Sequence, residues 1–336
     1  MGRALIHNGA MSSRAVIDHV IEAITPVSEA QAAGVRLQLG ASAAGSLGEL
    51  AARLAAARHA PRPRVERKVV VVCAGDHGEA DPGIDLGASH PTVIAARALA
   101  SGDAALSRVA ANAGARVLVL DCGTAGAAHL PSSVVQVGRG PSADLTAGPA
   151  RTVVEAVLGI EAGIAVALAL ADEGLDVLAL GRIGLGGEVS SAAIVAAVTR
   201  AGVDEVAAEP DAGPVAAALA ANAPLPTGIE RIAALGGPET ATMVGLILAA
   251  ASMNIPVVLD DHGTSAAALA AAALAPALPG YLVAAHGGTL PAHRRAIAAL
   301  GLAPLFELGL ARGEGTGAAM ALPLLDGAAA LLASST

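Results

Sequence analysis

Short, continuous runs of aliphatic and β-branched residues recur along this chain, separated by Ala-rich segments of helical length. That alternation restricts the fold more than any other feature. The clearest run is Lys68-Val69-Val70-Val71-Val72-Cys73; others are Val117-Leu118-Val119-Leu120, Val134-Val135-Gln136-Val137, Val177-Leu178-Ala179-Leu180, Pro256-Val257-Val258-Leu259 and Tyr281-Leu282-Val283-Ala284-Ala285. A run without polar alternation predicts a strand buried on both faces. Strands of this kind separated by helices predict an α/β fold, with a mainly parallel sheet and helices on both faces. Upstream, residues 11–60 carry apolar positions at helical spacing (Ala15, Val16, Ile17, Val20, Ile21, then Leu47, Leu50, Leu54) up to the break at Pro61-Arg62-Pro63-Arg64.

Such a sheet must pack with small side chains. The 336-residue chain is 54% hydrophobic, yet it has one Tyr (Tyr281), one Phe (Phe306) and no Trp, while its 40 glycines imply many tight strand-to-helix turns. The net charge of −9, with Lys68 the sole lysine and no basic run, argues against a nucleic-acid partner. Cys73 and Cys122 suit neither a disulfide framework nor a metal pattern. They predict buried, reduced thiols in a cytoplasmic protein. Met1 to Ala10 has no apolar core of a signal peptide. The longest apolar stretch, Met243 to Leu259, is broken by Asn254 and Pro256 and predicts helix, turn and strand, so no membrane span is expected.

Polar and glycine clusters follow nearly every predicted strand: Ala74-Gly75-Asp76-His77-Gly78, Asp121-Cys122-Gly123-Thr124, Gly181 to Glu188, Asp260-Asp261-His262-Gly263-Thr264 and His286-Gly287-Gly288-Thr289. In an open parallel sheet the carboxyl ends of the strands share one edge, where ligands bind. Five clusters on that edge predict a small-molecule enzyme. Asp260 either faces ribose hydroxyls or caps a helix beginning near Ser265. Asp76-His77 either contacts substrate or only ties its loop to a helix. His262, His286 and His293 match no HExxH or CxxC spacing, so neither metal nor cofactor is expected.

Near the C-terminus, Glu314 lies between Gly313 and Gly315, directly before an apolar helical segment. Glycine lets backbone pass close to a ligand, and a carboxylate held there is a candidate general base. The alternative is a favourable charge at a helix start.

Several blocks in this order resemble the nicotinate-nucleotide:dimethylbenzimidazole phosphoribosyltransferase family. They are Gly45-Ser46-Leu47-Gly48, Ala74 to Gly78, Leu180 to Gly186, Gly236-Gly237-Pro238-Glu239, Ile255 to Asp260, Pro291 to Ala296 and Gly313-Glu314-Gly315-Thr316-Gly317. The resemblance implies a Rossmann-like sheet in a large domain (61–310). A smaller helical domain would draw on residues 1–60, with an active-site loop and helix at 311–336. It also implies a homodimer and a metal-free reaction in which a base nitrogen displaces nicotinate from a mononucleotide with inversion, giving the α-riboside of the cobamide lower ligand. Glu314 would take the proton from the base. Gly184, Leu185, Gly186, Gly187, Glu188, Asp260, Gly287, Gly288, Gly313 and Gly315 would bind the donor's ribose and phosphate. Asp76, His77, Ser89, His90, Arg97 and Arg182 would form the base pocket.

The chain departs from the family at this site. The family's Gly-Glu-Met-Gly-Ile-Gly-Asn-Thr-Thr loop reads Gly181-Arg182-Ile183-Gly184-Leu185-Gly186-Gly187-Glu188-Val189, and its phosphate-contacting lysine is missing from the region of Asp211 to Ala220. A carboxylate repels phosphate unless the phosphate moves or is absent. Its Ser-Ala-Tyr-Pro becomes Ala88-Ser89-His90-Pro91, and a base-pocket glutamine becomes Arg97. Three readings follow: the family's own reaction; the same scaffold with other substrates, such as an anionic acceptor met by Arg97 and Arg182 or an unphosphorylated donor held by Glu188; or a non-catalytic nucleotide- or base-binding relative.

Overall fold

All eight residues of β1 (Lys68–Gly75) are buried, and those from Val69 to Ala74 divide between two cores. Val69, Val71 and Cys73 join one apolar cluster, while Val70, Val72 and Ala74 join the other. The division follows from the two-residue period of a strand, and it explains why Val69 to Ala74 include no charged or strongly polar residue. The computed structural model describes residues 13–40, 45–78, 87–310 and 314–333. The chain opens with α1 (Ser13–Glu22), α2 (Glu29–Leu39) and α3 (Gly45–Ala57). After β1 come α4 (Pro91–Ser101), α5 (Ala105–Asn112), β2 (Ala115–Gly123), β3 (Val135–Gln136), α6 (Val153–Asp172) and β4 (Val177–Ile183). Next are α7 (Gly187–Thr199), α8 (Val203–Val206), α9 (Ala212–Ala221), α10 (Gly228–Leu235), α11 (Pro238–Ser252), β5 (Val257–Leu259) and α12 (His262–Leu274). β6 (Leu282–Ala284), α13 (Pro291–Ala299) and α14 (Thr316–Ala333) complete the described chain.

The strands form one sheet in the order β3-β2-β1-β4-β5-β6, and every pairing is parallel. This is the expected α/β, Rossmann-like sheet. Two expectations shift in detail. The run at 134–137 pairs only over Val135 and Gln136, both exposed at the sheet edge. The helix expected near Ser265 begins at His262, because the Asp261 side chain accepts the N–H groups of Gly263 and Thr264 at 3.1 Å each.

Helices cover both faces. Leu50 and Leu54 of α3, Leu106 of α5 and Leu322 and Leu325 of α14 share the cluster of Val70 and Val72. Ile160 and Ile164 of α6 and Met243 to Ala251 of α11 cover the Val69 and Val71 side. Here small residues set the packing. A Cβ added at Gly163 would overlap the Thr242 carbonyl oxygen, and one at Gly245 would overlap the Ile160 carbonyl oxygen. α6 and α11 therefore cross with their backbones in contact, without aromatic side chains between them. α6 is long and apolar enough to span a membrane by length and composition alone; in this fold it is a packed helix of the sheet's cover. The sole tyrosine works as a polar staple. Its buried ring carries a hydroxyl 2.9 Å from both Thr25 O and Asn254 Oδ1. Cys73 and Cys122 are buried free thiols, and their mutual hydrogen bond and burial hold the Cys73 thiol well above its usual range.

The crossing is directly testable. Gly163→Val should lower unfolding free energy by about 3 kcal/mol, the effect of forcing volume into a filled core. Gly34→Ala on α2, where a Cβ would meet nothing within 4 Å, should raise it by about 0.5–1 kcal/mol. Urea unfolding of the two variants checks both signs; a Gly163→Val protein as stable as its parent would refute the backbone contact.

Candidate active site

From β1 the chain continues to β2 on one side, while β4 lies on the other. Between the carboxyl ends of β1 and β4 the connections diverge and leave a crevice. A cavity of about 150 Å³ occupies it. Arg182, Ile183, Gly184 and Leu185 come from the end of β4 and its loop, and Glu188 from the first turn of α7. Asp261 and His262 come from the start of α12, and Pro91, Thr92 and Ala95 from the start of α4. Glu314 completes the lining.

Glu314 is exposed, and two features place it. At Gly181 the Glu314–Gly315 backbone lies directly on β4, where a Cβ would overlap the Glu314 carbonyl oxygen. Asp260, wholly buried after β5, accepts the Gly315 N–H at 2.9 Å and the Ala318 N–H at 2.7 Å. It thereby caps α14. Burial, and then the neighbouring Asp261 charge, push the Asp260 carboxyl well above its usual range, while N–H groups of α14 oppose the shift.

Arg182 is the electrostatic centre of the cleft. Its side chain is 4% exposed and lies 3.5 Å from Glu188, 3.7 Å from Asp261 and 3.9 Å from Glu239. Its Nη2 is also 3.1 Å from His262 Nε2. Burial, the largest influence, would raise the carboxyl of Glu188, but Arg182, His262 and its own backbone N–H together outweigh it and hold Glu188 below the usual carboxylate range. Glu239 is held low in the same way, against burial, by His77 and Arg182. Burial pushes His262 down, and it lowers His293 to about 4. A wholly buried guanidinium thus faces three carboxylates, leaving the site net negative.

Several residues expected at the site lie behind it. Asp76 accepts from Thr92 Oγ1 at 2.6 Å, Ala125 N–H at 2.9 Å and Leu185 N–H at 3.0 Å. Its carboxylate ties three strand-end loops together and does not line the cavity. His77 Nε2 lies 2.9 Å from Glu239 Oε1. His90 caps α4, its Nδ1 accepting the Thr92 N–H. Arg97 is exposed and donates to Ala88 O and His129 O. It sits two residues beyond the cavity-lining Ala95, about 200° round the helix. Ser89 is exposed just before that helix. Gly287 faces Glu307 and Gly288 faces His293; neither lines the cavity. Asp260 and Gly315 position Glu314 from beneath, and Gly187 packs against the Arg182 guanidinium. Gly313 lies outside the described residues. Gly186 opens instead onto a second cavity of about 520 Å³, which Glu188 also lines together with Asp144, Thr146, Asp211 and Pro214. Thr92 and Asp261 had no distinctive signal of their own, although Asp261 sits in a cluster that the sequence marked and Thr92 directly follows the marked Ala88 to Pro91 segment. Among the described residues, no group of three or more His, Cys, Asp or Glu is arranged to hold a metal.

The sequence profile described as phosphoribosyltransferase matches residues 24–336. The nicotinate-nucleotide–dimethylbenzimidazole phosphoribosyltransferase of Roseiflexus sp. (strain RS-1) is 36% identical over 336 residues, covering 94% of this chain and 95% of the relative. The protein of the same name from Desulforudis audaxviator (strain MP104C) is 36% identical over 338 residues, with 95% of each chain covered. The crystal structure of the Thermus thermophilus protein of that name superposes with a TM-score of 0.82 at 34% identity, covering 92% of this chain and 97% of that one. The chain therefore belongs to the nicotinate-nucleotide–dimethylbenzimidazole phosphoribosyltransferase family and is a pentosyltransferase.

Proposed function

We propose that this chain moves a ribosyl group from a nicotinate N-glycoside to a ring nitrogen of a benzimidazole-type base, with inversion at the anomeric carbon. The names of its relatives supply the two substrate classes. The observation that carries the reading is the exposure of Glu314 on the cavity lining, while Glu188 and Asp261 face Arg182. One ring nitrogen of the base attacks the anomeric carbon as the bond to the nicotinate nitrogen breaks. The electron pair of that bond leaves with nicotinate. Glu314 accepts the proton from the other ring nitrogen, which raises the nucleophilicity of the attacking one. The net negative surroundings of Arg182 favour the positive charge that grows on the sugar during transfer, and the rigid cleft brings the two substrates together.

We also propose that the chain works as a homodimer through α6. Val154 and Leu158 on its outward side are 68% and 54% exposed, although the opposite side is locked onto α11. A second copy covering this ridge would remove both side chains from water.

Two outcomes follow. Glu314→Gln, which keeps the shape and removes the base, should lower kcat by roughly 10²–10⁴-fold while donor binding, followed by calorimetry, stays near that of the parent. Near-parental turnover would remove Glu314 from the role of base. Leu158→Glu should convert the dimer to a monomer in light scattering coupled to size-exclusion chromatography, and a dimer that persists unchanged would show that α6 is not the interface.

A further inference from the structure

We propose that the donor taken by this chain is a ribonucleoside, a nicotinate riboside without a 5′-phosphate, and that Glu188 selects it. The inference rests on the ribosyl-transfer reading above and specifies its donor. Among the described residues, Glu188 alone lines both cavities. A ribose bound at the junction would place its base end toward Glu314 and its 5′ end toward the second cavity. That second cavity presents the carboxylates of Asp144, Glu188 and Asp211, and no Lys or Arg among the described residues lines it.

A phosphate could still be held by backbone N–H groups at helix starts, but several of those around the cleft are already taken from within the chain. Asp260 takes N–H groups at the start of α14. Asp261 takes those of α12. At α7, the backbone N–H of Glu188 donates to its own carboxylate. At α9, the Ala212 N–H donates to Ala208 O, and Pro214 has no N–H to offer. The charge of the buried cation is balanced as well, since Arg182 faces the carboxylates of Glu188, Glu239 and Asp261.

Glu188 is suited to a hydroxyl instead. Arg182 keeps it ionised, and its side chain remains 38% exposed at the junction. An ionised carboxylate is a pure acceptor, which matches a donating 5′-hydroxyl and repels a phosphate dianion. Its negative field reaches across the cavity, because burial first and Glu188 second raise the carboxyl of Asp211.

The test is calorimetric titration of the full-length protein and of Glu188→Gln with nicotinate riboside and nicotinate mononucleotide. These titrations are paired with product mass spectrometry in the presence of 5,6-dimethylbenzimidazole. The parent should bind the riboside at least about tenfold more tightly than the mononucleotide, and Glu188→Gln should shrink that ratio by about tenfold or more. The product from the parent should be the unphosphorylated α-riboside. Tighter binding of the mononucleotide by the parent overturns the proposal, as does a ratio unchanged in Glu188→Gln or failure to bind either donor. Preferential riboside binding without transfer to the base would leave the donor assignment standing and defeat the transfer reading instead, so the two fail separately.

Discussion

A single buried carboxylate decides where the C-terminal helix begins, and with it where Glu314 stands. Asp260 follows β5 and reaches the first N–H groups of α14. Without that contact the helix start would have donors facing a dry core, and such donors are costly to leave unmade. Burial disfavours the charged form of Asp260, but the same burial makes its hydrogen bonds strong. The segment it holds also lies on Gly181, where only a missing side chain leaves room. Helix cap and glycine contact both bear on the Glu314–Gly315 backbone. Glu314 can remain exposed on the cleft because the backbone from Glu314 to Gly315 is held in place.

The cleft's electrostatics depend on Arg182 in a comparable way. Glu239 and Asp261 are buried carboxylates, and either would be expensive without a counter-charge. Arg182, threaded past Gly187 and Gly263, supplies that charge from beneath the cavity. It is a structural cation, with its valence taken up by the protein. This explains why an arginine at the strand end does not make the cleft attractive to anions. The negative charge of Glu188 still faces the cavity space.

The sheet was legible in the sequence because it rests on a local signal. Apolar runs such as 69–73 and 177–180 can be satisfied only between two layers, and each became a central strand. The edge run at 134–137 has less of that support, with Val135 and Gln136 exposed, and it narrowed to two residues. The position of Glu314 could also be read, from the glycines around it and the helix after it. Side-chain roles at the strand ends were harder to read. Asp76 and Asp260 have the composition of ligand-binding residues, yet both turn inward to backbone N–H groups of other loops. Which way a carboxylate turns depends on segments distant in sequence, and no local pattern encodes that.

Arg97 shows the same limit on a single helix. Alignment with the family put it in the base pocket, whereas the turn of α4 carries Pro91, Thr92 and Ala95 to the cavity and Arg97 to the surface. Helical phase could have raised that objection from sequence once Ala95 was known to face inward, but the inward face itself is set by how α4 meets β1 and β4. The departures at Arg182 and Glu188 also change meaning when seen together. Taken singly, one adds a cation and the other an anion to a phosphate loop. At 3.5 Å they are one unit, in which the buried arginine keeps the half-exposed carboxylate ionised. The loop retains the glycines that let a ligand approach and carries, in Glu188, a negative charge fixed to the protein.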